Sequence, residues 1–132
     1  MADIDLVALY RDYIRCLNAQ DWRSLGQFVH DDVEHNARRL GLDGYRDMLV
    51  ADFAAIPDLR FDIELLAEGP SLIACRLRFD CTPVGTFLGL PVNGRRVRFA
   101  ENAFYEFSGA KIRRVWSVID KVAVEAQLDA KP

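Results

Sequence analysis

A carboxylate or a guanidinium on an otherwise apolar face is either paired or reactive, so such interruptions are where chemistry is sought first. In this chain the series Val97, Phe99, Glu101, Ala103, Tyr105, Phe107 is interrupted at Glu101. It continues beyond a Ser108-Gly109-Ala110-Lys111 turn as Ile112, Arg114, Trp116, Val118, Asp120. A four-residue loop pairs Phe107 with Ile112, and an unbroken ladder then sets Tyr105 against Arg114, Ala103 against Trp116, Glu101 against Val118 and Phe99 against Asp120. That register puts Glu101, Arg114 and Asp120 on one buried face, a set suited to proton transfer. On such a face desolvation would raise the Asp120 carboxyl toward the range useful for general acid–base work, and an ionised Glu101, diagonal to it, would raise it further. Asp120 has an equal structural reading as the cap of a helix over Lys121 to Leu128. Glu101 is a pocket carboxylate or the buried partner of Arg114, and both roles are compatible, because the guanidinium fork can also hold a carbonyl oxygen. His35, in Glu34-His35-Asn36, is a proton shuttle near neutral pH or a hydrogen-bonding residue of the framework. Trp116, Tyr105 and Phe99 read as core or pocket wall.

These side chains need elements to hold them, and the periodicity changes from helical to alternating near Pro57. Leu6, Leu9, Tyr13, Cys16 and Leu17 mark a first amphipathic helix with Asp3 or Asp5 at its start. Asp21 caps a short second helix bearing Leu25, Phe28 and Val29, and a strand-like piece covers Val33 to Asn36. A third helix carries Tyr45, Met48, Leu49, Phe53 and Ile56 and stops at Pro57. Beyond Leu59, pairing Glu68 with Leu72 around Gly69-Pro70-Ser71 sets Arg60 against Asp80, Asp62 against Arg78 and Glu64 against Arg76. The same register buries Phe61, Ile63 and Leu65 against Phe79, Leu77 and Cys75. Asn93-Gly94 then makes a hairpin turn between Thr86–Val92 and a long strand from Arg95. Three helices followed by a curved antiparallel sheet predict one α+β domain over residues 1–132, with a pocket between the helices and the concave face.

Composition narrows the partners. A formal charge of -3, with the arginine pairs scattered, supplies no field for nucleic acid or an anionic membrane. No apolar run approaches the roughly 20 residues of a membrane span. Three cysteines without a Cys-x-x-Cys spacing, and two histidines without a ligand-spaced cluster, predict neither a disulfide framework nor a metal site. The acidic start, Met-Ala-Asp-Ile-Asp, carries no signal-peptide core, so the expected location is the cytoplasm. A cavity in so small a core predicts a homodimer through the convex sheet face at Phe104, Val115 and Ile119.

Several stretches are similar to one family. They are Asp31-Asp-Val-Glu-His-Asn36, Ile56-Pro-Asp-Leu-Arg-Phe61, Phe87 to Val97, Phe104-Tyr-Glu-Phe-Ser-Gly-Ala-Lys-Ile112, Trp116-Ser-Val-Ile-Asp120 and Gln127-Leu128. In that order they resemble the SnoaL-like polyketide cyclases, also called ester cyclases, of the nuclear transport factor two-like superfamily. The resemblance implies a cone-shaped α+β fold, dimers or tetramers formed through the sheet, and ring closure by intramolecular aldol condensation without metal or cofactor. It implies an acid/base aspartate at Asp120, the position that fits Trp-x-x-x-Asp. On that reading Asp120, with His35 and Glu101, moves a proton α to a carbonyl of a small hydrophobic molecule, for ring closure or for a proton shift of the isomerase kind. Trp116, Arg114, Tyr105, Phe99 and Asn36 surround it, His35 and Asn36 at the pocket mouth. The chain departs from many relatives at Cys81-Thr82-Pro83, where they carry Gly-Thr-His, and at Arg113-Arg114-Val115, where an acidic residue is common. Those departures favour the alternative: a non-catalytic small-molecule-binding or interaction protein of the same fold.

Overall fold

Asp5 starts the first helix by accepting the Ala8 amide at 3.0 Å, and α1 runs Leu6–Asn18 with Tyr10, Tyr13, Ile14 and Leu17 turned inward. The computed structural model describes residues 4–130, so Asp3, the other candidate cap, lies outside the described residues. The short helix expected behind Asp21 is a single 3-10 turn, Leu25–Gln27, because the chain passes at once into β1 (Val29–His35). A two-residue strand, β2 (Arg38–Arg39), pairs back on it. Gly41, at φ +69, opens α2 (Gly41–Ala55), and Pro57 follows its end as expected.

The second half is sheet: β3 (Asp62–Gly69), β4 (Leu72–Cys81), β5 (Thr86–Phe87), β6 (Leu90–Pro91), β7 (Val97–Ser108) and β8 (Lys111–Ile119), closed by α3 (Lys121–Asp129). Strand order is β2-β1-β8-β7-β4-β3, with β5 and β6 as a separate small hairpin. Pairing is antiparallel throughout the main sheet except between β1 and β8, which run parallel. The α+β cone expected from sequence is thus observed, with α1 and α2 over the concave face. Buried tyrosines join these layers: the ring centroids of Tyr10 on α1 and Tyr105 on β7 lie 4.8 Å apart. Cys16, Cys75 and Cys81 are free and buried.

Two single-residue bulges correct the expected registers. In the β3–β4 hairpin, Asp62 does pair with Arg78 and Ile63 with Leu77, but the ladder then slips so that Leu65 faces Arg76 and Leu66 faces Cys75. The extra residue is Glu64, whose carboxylate reaches Arg76 at 3.3 Å and Arg78 at 3.4 Å on the outer face. Leu66 takes the inner position expected of Leu65, which is exposed. In the β7–β8 hairpin, Phe107 pairs with Ile112 as expected, after which Arg113 is extra and Glu106 pairs with Arg114. Every later β8 side chain therefore changes face. The Asn93-Gly94 turn forms, both residues having positive φ, but the expected Thr86–Val92 strand is the β5–β6 hairpin instead.

Candidate active site

The bulge at Arg113 decides which side chains meet. Val115, Ser117 and Ile119 turn to the concave face, while Arg114, Trp116, Val118 and Asp120 turn outward. On β7, Phe99, Glu101 and Tyr105 remain inside as expected, so Glu101 faces the interior without Arg114 or Asp120. Above it, α2 presents Tyr45, Leu49 and Asp52, at steps of four and three residues on one helix face. Together with Tyr13 of α1 and His35 of β1, these side chains line a cavity of about 170 Å³. A smaller lobe of about 70 Å³, walled by Phe61, Phe79, Phe87 and Phe99, shares Glu101 and Asp52 with it. Phe79 and Phe99 stack there at 5.1 Å, which suits a flat apolar guest.

Glu101 is the group whose chemistry this setting changes most. Burial pushes its carboxyl up to about 7; a hydrogen bond from Ser117 pulls the other way, and the nearby Asp52 charge adds to the rise. Asp52 is open to solvent on one side, yet apolar neighbours crowd its carboxyl and desolvation raises it to about 6. Two carboxyls poised near neutrality therefore share one cavity. His35 Nε2 stands 3.2 Å from the Ser117 hydroxyl oxygen, and desolvation, followed by the Arg38 charge, lowers its pKa. With the Ser117 hydroxyl donating to Glu101, a neutral His35 must carry its proton on Nε2 to fill the bond to Ser117. Ser117 thus links the imidazole to the carboxylate.

Parallel pairing of β1 with β8 positions this link. His35 lies opposite Val115, and at the next residue Asn36 adopts φ 49 and clamps the Ser117 backbone. Its Oδ1 accepts the Ser117 amide at 2.8 Å and its Nδ2 donates to the Ser117 carbonyl at 3.1 Å. Asn36, expected to touch substrate, is exposed and spends its side chain on this clamp. Tyr105 lines the larger lobe and Phe99 the smaller one.

The remaining expectations are corrected by the bulge. Asp120 is exposed and accepts the Ala123 amide at 3.1 Å, so it caps α3 and does not open into either lobe. Arg114 bridges Glu34 at 3.2 Å and Glu106 at 3.6 Å on the outer face. Trp116 pairs there with Phe104. The structure brings together only His35 and Glu101 of the three expected catalytic residues. Ser117, Tyr13, Tyr45 and Asp52 were missed. Asp52 had left a signal, as the one carboxylate in helical step with Tyr45 and Leu49. Replacing Asp120 by Ala is accordingly expected to cost about 1 kcal/mol of stability, the usual loss of a helix cap, and to leave activity unchanged. Thermal unfolding and an activity assay on the same sample check this.

Among the described residues no three His, Cys, Asp or Glu side chains gather as a metal-binding group, and no helix is long and apolar enough to cross a membrane. A SnoaL-like polyketide cyclase from Agrobacterium tumefaciens strain C58 is similar at 59% identity over 96% of this chain and 99% of that one, with a TM-score of 0.94. TsrD from Streptomyces laurentii, at 22% identity over 98% of this chain and 100% of its own, shares the fold with a TM-score of 0.82. IdmH from Streptomyces antibioticus does so too, at 17% identity over 96% of this chain and 100% of its own, also with a TM-score of 0.82. No curated protein matches the chain. The model of the SnoaL-like polyketide cyclases fits residues 7–128, and with the same cone of helices over sheet in these neighbours, the chain belongs to that family, within the nuclear transport factor two-like fold.

Proposed function

We propose that this protein is a cyclase that works without a cofactor on a small, flat, apolar carbonyl compound, with Glu101 in the acid/base role expected of Asp120. The observation that carries this reading is a carboxyl pushed up to about 7 inside an apolar cavity, with no cation paired to it among the described residues. In its ionised form Glu101 removes a proton from the carbon α to a carbonyl, leaving an enolate. The enolate carbon attacks a second carbonyl carbon of the same molecule, a carbon–carbon bond forms, and the resulting alkoxide takes the proton back from the Glu101 carboxyl. The carboxylate is thereby regenerated. The phenylalanine lobe holds the chain folded so that the two carbons meet. Ser117 and His35 keep the carboxylate oriented.

The first half-reaction can be tested without the natural substrate. 2-Tetralone, a fused aromatic ketone, incubated with the protein in heavy water is expected to lose its α-proton signals faster than in buffer alone, with a rate that rises with pH around 7. Exchange no faster than buffer would favour a binding protein that keeps the pocket without the reaction.

Self-association is the second part of the proposal. With Val115 and Ile119 turned inward, the outer apolar patch consists of Leu65, Phe104, Trp116 and Val118, the last of these 70% exposed. Arg76 and Asn102 stand between Leu65 and Val118 in this patch, with Glu64 and Arg78 beside Arg76, and Arg114 with Glu34 and Glu106 borders the other side. A twofold partner of the same sequence can set arginines of one copy against glutamates of the other. Trp116→Glu is expected to convert a dimer to a monomer in light scattering; an unchanged mass would rule this face out.

A further inference from the structure

We propose that Tyr13 and Tyr45 form a two-hydroxyl donor site for the carbonyl oxygen of the ligand, which becomes the enolate oxygen when Glu101 removes the α-proton. The hydroxyls of Tyr13 on α1 and Tyr45 on α2 lie 2.7 Å apart. Both rings line the 170 Å³ cavity beside Glu101, and the residues are only 1% and 2% exposed. Two phenols bring two O–H protons, and their mutual bond uses one. Among the described residues neither hydroxyl has another hydrogen-bond partner, so one proton of the pair has no protein acceptor. A buried donor in a well-packed interior rarely stays unmatched. An oxygen of a molecule in the cavity would supply the match.

The character of the pair selects the ligand atom. Burial first raises both tyrosines; neighbouring phenols and then Glu101 add to the rise at Tyr13, while at Tyr45 the bond from Tyr13 pulls back and the Glu101 and Asp52 charges add, so both stay neutral donors over the working range. The inner bond polarises the outer hydroxyl and strengthens its donation. A buried neutral donor favours an oxygen on which negative charge develops, the requirement of a carbonyl turning into an enolate. Glu101 lines the same cavity, so one end of the ligand can meet the donor pair while its α-carbon meets the base. A purely structural staple between α1 and α2 would satisfy the 2.7 Å bond but would give the second proton no destination.

This inference rests on the acid/base reading above, and the test separates the two. 2-Tetralone labelled with ¹³C at the carbonyl is bound to the protein, and the infrared carbonyl band is recorded alongside α-proton exchange. In the wild type the band is expected at lower frequency than in Tyr13→Phe and Tyr45→Phe, with binding about tenfold weaker in each variant. Tyr10→Phe, which does not line the cavity, should leave the band in place. If a phenylalanine variant fails to fold, 3-fluorotyrosine at position 45 replaces it, since a more acidic hydroxyl must pull the band lower still. A band that stays put in the phenylalanine variants or with fluorotyrosine, or a wild type that does not hold the ketone, overturns the donor pair. A band that responds as expected while the wild type exchanges no protons upholds the donor pair and removes only Glu101's role.

Discussion

Glu101→Gln is expected to slow α-proton exchange of 2-tetralone by roughly 10²- to 10⁴-fold, the range usually lost with a general base. Glutamine keeps the shape of the side chain and can still accept the Ser117 hydrogen bond, but it cannot take up a proton. Binding of the ketone should persist, so the loss falls on the rate at saturation and not on affinity. The same assay on Asp120→Asn should give wild-type exchange, because that carboxylate caps α3 outside the cavity. Asp52→Asn has a different signature. Its charge helps hold Glu101 up, so removing it should move the exchange profile to lower pH without abolishing it.

The second large effect is on stability, and it has the opposite sign. A carboxyl raised from 4.5 to about 7 by burial is more protonated in the folded chain than in the unfolded one across that interval. The folded state binds the extra proton, so the stability this one group contributes is greatest below about 4.5, falls as pH rises toward 7 and is level above it. The shift corresponds to about 3 kcal/mol. Glutamine has no charge to desolvate. Glu101→Gln should therefore match the wild type near pH 4 and exceed it by up to about 3 kcal/mol at pH 8, a gain of roughly 10 °C in midpoint. Part of the pH slope should survive in the variant, because Asp52 is raised in the same direction. Denaturant unfolding at several pH values measures both. A variant less stable than the wild type at pH 8 would mean that the carboxylate is compensated in the native state.

Much of the fold was legible because it depends on patterns that single residues cannot hide. The helical stripe from Leu6 to Leu17, the proline after α2 and the alternation of β7 all gave the right elements, while Asn93-Gly94 gave the turn but not the strand expected before it. The site was harder to read because face assignment depends on the parity of every residue between two points, and a single bulge inverts it. Yet the chain carried a warning. An unbroken β8 buries Arg114 and Asp120 beside Glu101, three ionisable groups on one face, whereas placing the extra residue at the Arg113-Arg114 pair sends two of them to water and brings Val115 and Ile119 inside. The desolvation cost of buried charges favours the bulge. His35 and Glu101 survived the correction for different reasons. Glu101 precedes the bulge on β7, and His35 reaches Ser117 through a parallel pairing of β1 with β8 that local patterns do not encode. Tyr13 and Tyr45 were invisible as a pair because they are 32 residues apart and each looks like ordinary core in its own helix.

The acid/base role of Glu101 depends on its ionisation, and that can be observed directly. In protein labelled with ¹³C at glutamate carboxyls, with the Glu101 resonance assigned by its absence from Glu101→Gln, the carboxyl shift is followed from pH 3 to pH 9. The expected result is a midpoint near 7, well separated from the exposed glutamates. A midpoint near the ordinary 4.5 would mean that the cavity does not desolvate Glu101, and the acid/base assignment would fall with it.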